Sequence, residues 1–264
     1  MSVDLSQFIK SPDEIKKMRV AGRKAAQVLE MIETYVIPGV TTNELNNRCH
    51  DYIVNDLNAI PAPLNYRGFP KSVCTSVNHV VCHGIPNDKP LKNGDIINID
   101  VTVIYDGYHG DTSRMYFVGD KINPLNKRLC HVAQACLYKG INLVKPGTDL
   151  KTIGKVIADY AKANHYSSVK DYCGHGIGSE FHEDGFQVLH YDHPGVDSTP
   201  LLPGLTFTIE PMINAGTFKV KTMPDQWTVI TKDRKPSAQW EHTLLVTDDG
   251  CDILTLRQEE SFVE

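Results

Sequence analysis

A predicted hairpin over residues 96–118 constrains the fold of this chain more than any other segment. Ile96–Ile104 is rich in β-branched residues, which favour strands. Asp106-Gly107 is a favoured two-residue hairpin turn, so the chain from Tyr108 onward is expected to return as the paired strand. With this turn, Asp100 and Asp111 become diagonal neighbours on one face of the sheet, about 7–8 Å apart.

The two aspartates of this hairpin suggest a cation site. In the predicted register, Asp100 pairs with Ser113 and Asp111 pairs with Thr102. Two carboxylates that point at one place repel each other unless a positive charge lies between them. Divalent metals prefer oxygen ligands and would supply that charge. Taken alone, the pair is equally compatible with solvated aspartates beside a turn.

Four helices are expected around this hairpin. Ser11–Glu14 forms a capping box with proline at the first helical position, and Pro38-Gly39 ends the helix that follows. Thr41 caps a second helix, Asn123-Pro124 opens a third that runs to about residue 144, and Asp149 caps a fourth. Further strands are expected over residues 72–81, 205–213 and 238–246, with a long loop from 178 to 203.

A weak internal repeat indicates two similar α/β halves, over residues 12–118 and 124–250, within one domain spanning residues 1–264. Three pairs of features occur in the same order: Val36–Gly39 and Val144–Gly147 before capped helices, Cys82–Ile85 and Gly174–Ile177, and a glycine six residues before Asp100 and before Glu210. Each half would then give a strand carboxylate to a shared centre.

Composition excludes several classes of protein. The net charge of -5 argues against bulk electrostatic attraction to nucleic acid or to an anionic membrane. No apolar run approaches the ~20 residues of a membrane span, and the N-terminal segment lacks the pattern of a signal peptide. The seven cysteines are scattered, which indicates reduced thiols in a cytoplasmic protein. Nothing in the sequence requires more than a monomer.

Five residues are candidates for one metal centre: Asp100, Asp111, His175, Glu210 and Glu241. Four carboxylates and one imidazole suit two divalent ions with bridging carboxylates. Glu210 is the strongest candidate, because a charge within so apolar a strand is out of place unless it is neutralised. The alternatives are an edge-strand glutamate, a turn histidine and an exposed Glu241. Such a centre activates water and polarises an amide carbonyl, which is the chemistry of hydrolysis.

The ordered motifs from Ile9 to Arg257 resemble those of the methionine aminopeptidases. They are His83–Pro86, Asp100 with Asp111, Gly174–Gly178, Phe181–Glu183, Thr208–Pro211 and Glu241–Thr243. The resemblance implies the pita-bread fold, an α/β (α+β) architecture of two pseudo-symmetric halves around a central antiparallel sheet with a dinuclear metal site. The short bacterial type I form is the most similar, because there is no zinc-binding N-terminal extension and no room for the type II insertion.

The same resemblance implies a function and roles for individual residues. Metal-activated water would attack the first peptide bond of nascent chains that start with methionine and a small second residue. Two ions of cobalt, manganese, iron or zinc would be held by the five candidates. Glu210 would carry the proton to the leaving amine, His182 would bind the scissile carbonyl oxygen, and His83 would contact the scissile nitrogen. Without the resemblance, His83 and His182 are equally compatible with loop histidines.

The resemblance also places further residues around the substrate. Tyr66, Phe69, Cys74, Phe181 and Trp227 would form the methionine pocket, although each aromatic read alone is more typical of a core. Asn78, Val80 and Ser237 would hold a monovalent cation. Two departures from the family pattern stand out, Asp184-Gly185-Phe186 and Pro63. The first lengthens the segment after His182, where we expect a more mobile loop and a reshaped pocket rim.

The resemblance also implies binding partners and leaves two alternative functions open. The partners would be nascent polypeptide N-termini and, near the exit tunnel, the ribosome. Met1-Ser2 is itself of the substrate type, so the mature protein is expected to begin at Ser2. The alternatives are a proline-specific aminopeptidase or prolidase of the same fold, and a non-catalytic binding protein of that fold.

Overall fold

The computed structural model describes residues 4–195 and 198–260. The expected processing site at Met1-Ser2 lies outside the described residues. Among the helices formed by the described residues, none combines the length and apolar character that a membrane span requires.

The four helices begin where the capping motifs predicted. The α-helices are α1 (Pro12–Ile32), α2 (Thr42–Asp51), α3 (Pro124–Ile141) and α4 (Leu150–Ala163). Short 3-10 segments cover Leu5–Phe8, Glu33–Tyr35, Tyr66–Gly68 and Gln258–Glu260, and a π segment covers Tyr52–Asp56. Ser11 and Thr41 both form complete capping boxes, and Asp149 accepts the backbone N–H of Lys151. These local signals therefore locate the start of each helix.

The strands pair antiparallel throughout the described chain. They are β1 (Ile60–Pro61), β2 (Cys74–Val77), β3 (Val80–Cys82), β4 (Ile96–Tyr105), β5 (Tyr108–Phe117), β6 (Ser167–Ser168), β7 (Gly174–Gly176), β8 (Glu183–Val188), β9 (Thr206–Ile209), β10 (Met212–Asn214), β11 (Val220–Thr222), β12 (Val229–Thr231), β13 (Ser237–Gln239), β14 (His242–Val246) and β15 (Cys251–Ile253). One larger sheet joins β1, β2 and β5 to β4; the other has the order β15-β14-β9-β7-β8.

The central hairpin has the predicted register. In the β4–β5 ladder, Asp100 pairs with Ser113 and Thr102 pairs with Asp111. Both turn residues, Asp106 and Gly107, have positive φ angles of 49° and 77°. Positive φ at both central residues is the geometry of a type I′ turn, whose twist matches that of the strands.

Two strands that were expected to be continuous are interrupted, so those expectations were wrong. The segment 205–213 divides into β9 and β10 at Glu210-Pro211, and the segment 238–246 divides into β13 and β14 at Trp240-Glu241. Pro211 has no N–H to give to a ladder, and the N–H of Glu210 is donated to His190 Nε2 over 3.2 Å. The halves of each divided segment therefore join different sheets.

The expected loop from 178 to 203 was also partly wrong, because it contains β8. Asp184-Gly185-Phe186 lies within this strand. Phe186 is buried between Phe8 and Phe207, with ring centroids 5.6 Å from each. An aromatic side chain in an apolar niche provides the burial that holds this strand against the sheet.

Two apolar layers support the sheets. Helices α1 and α2 bury Leu29, Ile32 and Leu45 in one cluster with the apolar face of β4. Helix α3 packs on β13, β10 and β9, and helix α4 packs on β6 and β8. The two larger sheets meet at an isolated antiparallel bridge between Ser113 and Glu241. This contact brings the acidic residues of the β4–β5 hairpin against those of the later strands.

Candidate metal centre

The hairpin presents its two aspartates toward a shared interior. Asp111 is only 4% exposed, and its Oδ1 accepts the hydroxyl of Thr102 over 2.8 Å. The backbone of Asp111 is bound by Thr243, whose Oγ1 donates to the Asp111 carbonyl over 2.7 Å. Asp100 sits opposite Cys74 across the β2–β4 ladder. Regular strand geometry therefore fixes the direction of both carboxylates.

His175 reaches the same interior from a β-bulge. The register of β7 shifts between His175 and Gly176, and the His175 backbone N–H is held by Thr208 Oγ1 at 3.0 Å. Its Nδ1 lies 3.1 Å from the Gly176 carbonyl oxygen, which suits an N–H donor there. Nε2 then keeps its lone pair, 3.6 Å from both Asp111 Oδ2 and Glu210 Oε1.

The two glutamates lie at the interruptions of their strands. Glu210 Oε1 accepts the Thr208 hydroxyl over 2.9 Å, and its Oε2 accepts from Gln239 Nε2 over 3.2 Å. The backbone N–H of Glu241 donates to the Ser113 carbonyl over 3.1 Å. The carboxylate of Glu210 is thus aimed by Thr208 and Gln239, and the backbone of Glu241 is fixed by β5.

Among the described residues, these carboxylates have no positively charged ion-pair partner, and only Glu241 gains some relief, from the charge of Arg257. Desolvation raises the pKa of Asp100 to about 7. Desolvation and repulsion from the neighbouring acids raise the pKa of Asp111, Glu210 and Glu241 well above the usual range. Within residues 4–195 and 198–260, no lysine or arginine forms an ion pair with these acids. A bound cation would remove this penalty.

The donor atoms fit such a cation. One ligand atom each from Asp111, His175 and Glu241 lies within 4.8 Å of the other two. Glu210 approaches through its Oε1 contact with His175, and Asp100 lines the same cavity. Carboxylate oxygens with one imidazole nitrogen suit divalent first-row metals. All five sequence candidates are therefore brought together.

A cavity of about 410 Å³ opens above this cluster. His83 and His182 both line it. The Tyr66 hydroxyl lies 2.9 Å from His182 Nδ1, and the His182 ring centroid is 4.1 Å from that of His175. Desolvation, with a smaller effect of the neighbouring His175, lowers the pKa of His182 to about 3. Desolvation also lowers the pKa of His83 to about 4, so both rings are neutral near pH 7.

The residues expected around a methionine side chain share one wall of this cavity. Tyr66, Phe69, Cys74, Phe181 and Trp227 all line it, as does Pro63. The Tyr66 and Phe181 ring centroids are 4.9 Å apart, and those of Phe69 and Trp227 are 5.2 Å apart in an edge-on arrangement. This aromatic wall offers an apolar, polarisable surface.

The three residues expected at a monovalent cation lie close to one another. The Asn78 carbonyl accepts the backbone N–H of Ser237 over 2.9 Å, while its side chain bonds Asp95 and the N–H of Ile96. Val80 begins β3, which packs beside β13. The structure thus groups these residues beside the sheet that carries Asp100.

Sequence reasoning did not assign the polar residues that orient the acids. Gln239, Thr208, Thr102 and His190 each contact a candidate ligand. Three of them carried a usable signal. Gln239 and Thr208 lie two residues before Glu241 and Glu210, on the same strand face by the strand period, and Thr102 was already paired with Asp111. His190 is distant in sequence and carried none.

Comparison with known proteins assigns the chain to one enzyme family. The model of metallopeptidase family M24 matches residues 16–248. The chain therefore belongs to metallopeptidase family M24, whose members are hydrolases that use divalent metal.

Similar proteins and solved structures narrow the assignment within family M24. A methionine aminopeptidase of Salmonella typhimurium is 60% identical over 254 residues, covering 96% of this chain and 95% of that protein. The methionine aminopeptidase of Escherichia coli strain K12 is 59% identical with the same coverage. The crystal structure of methionine aminopeptidase from Rickettsia prowazekii matches with a TM-score of 0.90 at 55% identity, over 94% of this chain and 99% of that chain. Within family M24, the chain thus groups with the bacterial methionine aminopeptidases, and the predicted pita-bread fold is confirmed.

A more remote match shares the fold alone. The prolidase from Pyrococcus furiosus has a TM-score of 0.73 at 23% identity, over 95% of this chain and 66% of that chain.

Proposed function

We propose that this protein removes the N-terminal methionine from nascent proteins and peptides whose second residue is small. The observation that carries this proposal is the group of five metal-ligand side chains beneath an aromatic-walled cavity, in a chain 60% identical to a methionine aminopeptidase.

The five clustered residues, Asp100, Asp111, His175, Glu210 and Glu241, would hold two divalent ions, with cobalt, manganese, iron and zinc as candidates. When bound, these ions lower the pKa of water and polarise the carbonyl of the scissile bond. The support is the donor set together with the raised carboxylate pKa values.

Glu210 would act as the general base and acid. Thr208 and Gln239 hold its two carboxylate oxygens, so the carboxylate is fixed in direction where it lines the cavity. In this role a Glu210 carboxylate oxygen accepts the proton of the attacking water and passes it to the leaving amine. The Glu210 side chain is only 14% exposed, which limits the access of bulk water to that proton.

His182 would bind the scissile carbonyl oxygen as negative charge develops there. With the Tyr66 hydroxyl donating to Nδ1, the proton of the neutral ring resides on Nε2. Nε2–H is then the donor available to the substrate. His83, whose ring meets those of Tyr172 and Trp227 edge-on, would contact the scissile nitrogen.

The methionine side chain would occupy the wall formed by Tyr66, Phe69, Cys74, Phe181 and Trp227, where a thioether makes favourable contacts with aromatic rings. Asn78, Val80 and Ser237 would hold a monovalent cation. We further propose a cytoplasmic monomer that meets its substrates at the ribosome exit, acting as one catalytic domain of two related halves, 12–118 and 124–250.

Paired peptides test this function. Metal-stripped protein, with manganese, cobalt or iron(II) added back, should cleave Met-Ala-Ser and leave Ala-Pro-Ser intact. Glu210→Ala should abolish cleavage while circular dichroism shows an unchanged fold. A preference for Ala-Pro-Ser would instead place the protein among proline-specific enzymes. Failure to cleave either peptide or to bind metal would favour a non-catalytic binding protein.

A further inference from the structure

A buried ion pair ties the N-terminal segment to the strand that follows His182. Lys10 Nζ lies 2.5 Å from Glu183 Oε1 and 2.7 Å from the carbonyl oxygen of Phe8. The Lys10 and Glu183 side chains are only 6% and 11% exposed. The second oxygen, Glu183 Oε2, has no hydrogen-bond partner among the described residues. The two residues are 173 positions apart in sequence.

Glu183 occupies the position from which it could control the His182 ring. It follows His182 directly and begins β8. It also pairs with Gly176 across the bulge that carries His175. A shift of Glu183 would therefore move His182 against the rings of His175, Phe181 and Tyr66 that lie beside it.

Lys10 is itself held firmly. Its backbone N–H donates to the Gly204 carbonyl over 2.9 Å, and Ile9 forms a bridge with Leu205 just before β9. Phe8 packs its ring on Phe186 of β8 with centroids 5.6 Å apart. The pair thus connects the approach to β9, the strand that leads to Glu210, with the start of β8.

Glycines close the space around this pair. A Cβ added at Gly176 would lie 2.7 Å from Glu183 Oε2, and one at Gly178 would lie 2.5 Å from Lys10 Cε. Bare backbone therefore packs directly on both charged groups. This leaves little freedom for alternative positions of either side chain.

Stability is a weak reason for such a pair, because the desolvation of two charges offsets most of their attraction. We propose that the Lys10–Glu183 ion pair is a positioning device that sets the place of the His182 ring over the metal-ligand cluster. This inference rests on the role proposed for His182. Neither Lys10 nor Glu183 needs to touch the substrate; both act through the main chain at residues 182 and 183.

The expected consequence is a loss in kcat rather than in KM. His182 would stabilise charge that appears only in the transition state, so its misplacement leaves ground-state binding nearly intact. Displacement of a catalytic group by ~1 Å can cost ~100-fold in rate. We expect about a 10-fold or greater loss in kcat when the pair is removed.

A double-mutant cycle tests this proposal on the metal-loaded enzyme. Lys10→Met and the doubly neutral Lys10→Met/Glu183→Gln are measured with His182 present and in a His182→Ala background. The doubly neutral variant avoids an unpaired buried charge and serves if Lys10→Met alone fails to fold. We expect about a 10-fold drop in kcat with His182 present and less than about a 2-fold drop in the His182→Ala background.

A matched control comes from the exposed pair of Lys16 and Asp13, whose side chains are 75% and 85% exposed. Lys16→Met should leave kcat unchanged in both backgrounds. An equal drop for the Lys10 variants in both backgrounds, or no drop at all, would overturn the positioning role. If His182→Ala alone retained full activity, the role proposed for His182 would be the part that fails.

Discussion

The acids of the β4–β5 hairpin and those of the later strands reach the cavity in different ways. Asp100 and Asp111 lie inside uninterrupted ten-residue strands, where the pleat alone sets their direction. His175 lies at a bulge, and Glu210 and Glu241 lie at breaks between strands. One region therefore provides a regular platform, while the other provides its ligands from irregular backbone.

This difference has an energetic consequence. Within a ladder, backbone N–H and C=O groups are paired by the neighbouring strand. At the breaks they need other partners: the Glu210 N–H uses His190, and the Glu241 N–H uses Ser113. The irregular region therefore depends on contacts from distant residues, and its geometry should be easier to disturb.

The largest expected effect is on the general base of the irregular region. Glu210→Gln keeps the shape of the side chain but removes its ability to accept a proton. We expect kcat to fall by about 10³-fold, since general acid–base catalysis contributes ~10²–10⁴-fold. Steady-state kinetics on Met-Ala-Ser measures this. Glu180→Gln, in the exposed segment beside β8, is the control and should retain activity; an equal loss in both variants would exclude a specific role.

The comparison between the regular and the irregular region is tested most directly by removing the side chains that orient Asp111 and Glu210. His190→Leu leaves the N–H of Glu210 without an acceptor, which should cost about 1–3 kcal/mol of unfolding free energy. Thr102→Val removes the hydroxyl bound to Asp111, but in metal-loaded protein the carboxylate would keep the cation as a partner and the ladder stays intact, so we expect about 1 kcal/mol or less. Urea unfolding of both variants gives the two values. A Thr102 variant as damaging as the His190 variant would remove the distinction between the regions.

Neutralising one buried carboxylate should have opposite effects with and without metal. In metal-stripped protein, Asp111→Asn relieves repulsion among the acids and should raise Tm by about 2 °C or more. With metal present, the same change removes a ligand and should lower the Tm gain produced by the ion. Differential scanning calorimetry of the metal-stripped and metal-loaded proteins measures both Tm changes. Asp159→Asn, at an exposed helix position, is the control and should change Tm little in either state. A lower Tm for metal-stripped Asp111→Asn would argue against repulsion among the carboxylates.

The smallest expected effects are at the helix caps, which should be alike in the two regions. Ser11 caps α1 on the hairpin side, and Asp149 caps α4 on the other. Replacing either by alanine should cost about 1 kcal/mol, measured by urea unfolding. If both variants lose a similar unfolding free energy, the two regions differ only in their strands. A much larger loss at one cap would mean that their helices differ as well.

The five metal-ligand candidates and part of the architecture followed from patterns in the sequence, whereas His83, His182 and the aromatic residues were assigned only through the family resemblance. The Asp106-Gly107 turn predicted the register of the whole hairpin, and short capping motifs predicted the helix starts. The charge of Glu210 within an apolar stretch marked it correctly as a residue brought to the cluster. These signals act over a few residues, so the chain encodes them directly.

The interruption at Glu241, the strand β8 and the Lys10–Glu183 pair were decided only by tertiary structure, and the interruption at Glu210, which Pro211 favours locally, was completed by it. In sequence, the stretches around Glu210 and Glu241 read as single continuous strands. They divide because the N–H of Glu210 meets His190 and the N–H of Glu241 meets Ser113, partners up to 128 positions away. Such pairings form when distant segments pack together, and periodicity along one stretch of chain carries no information about them.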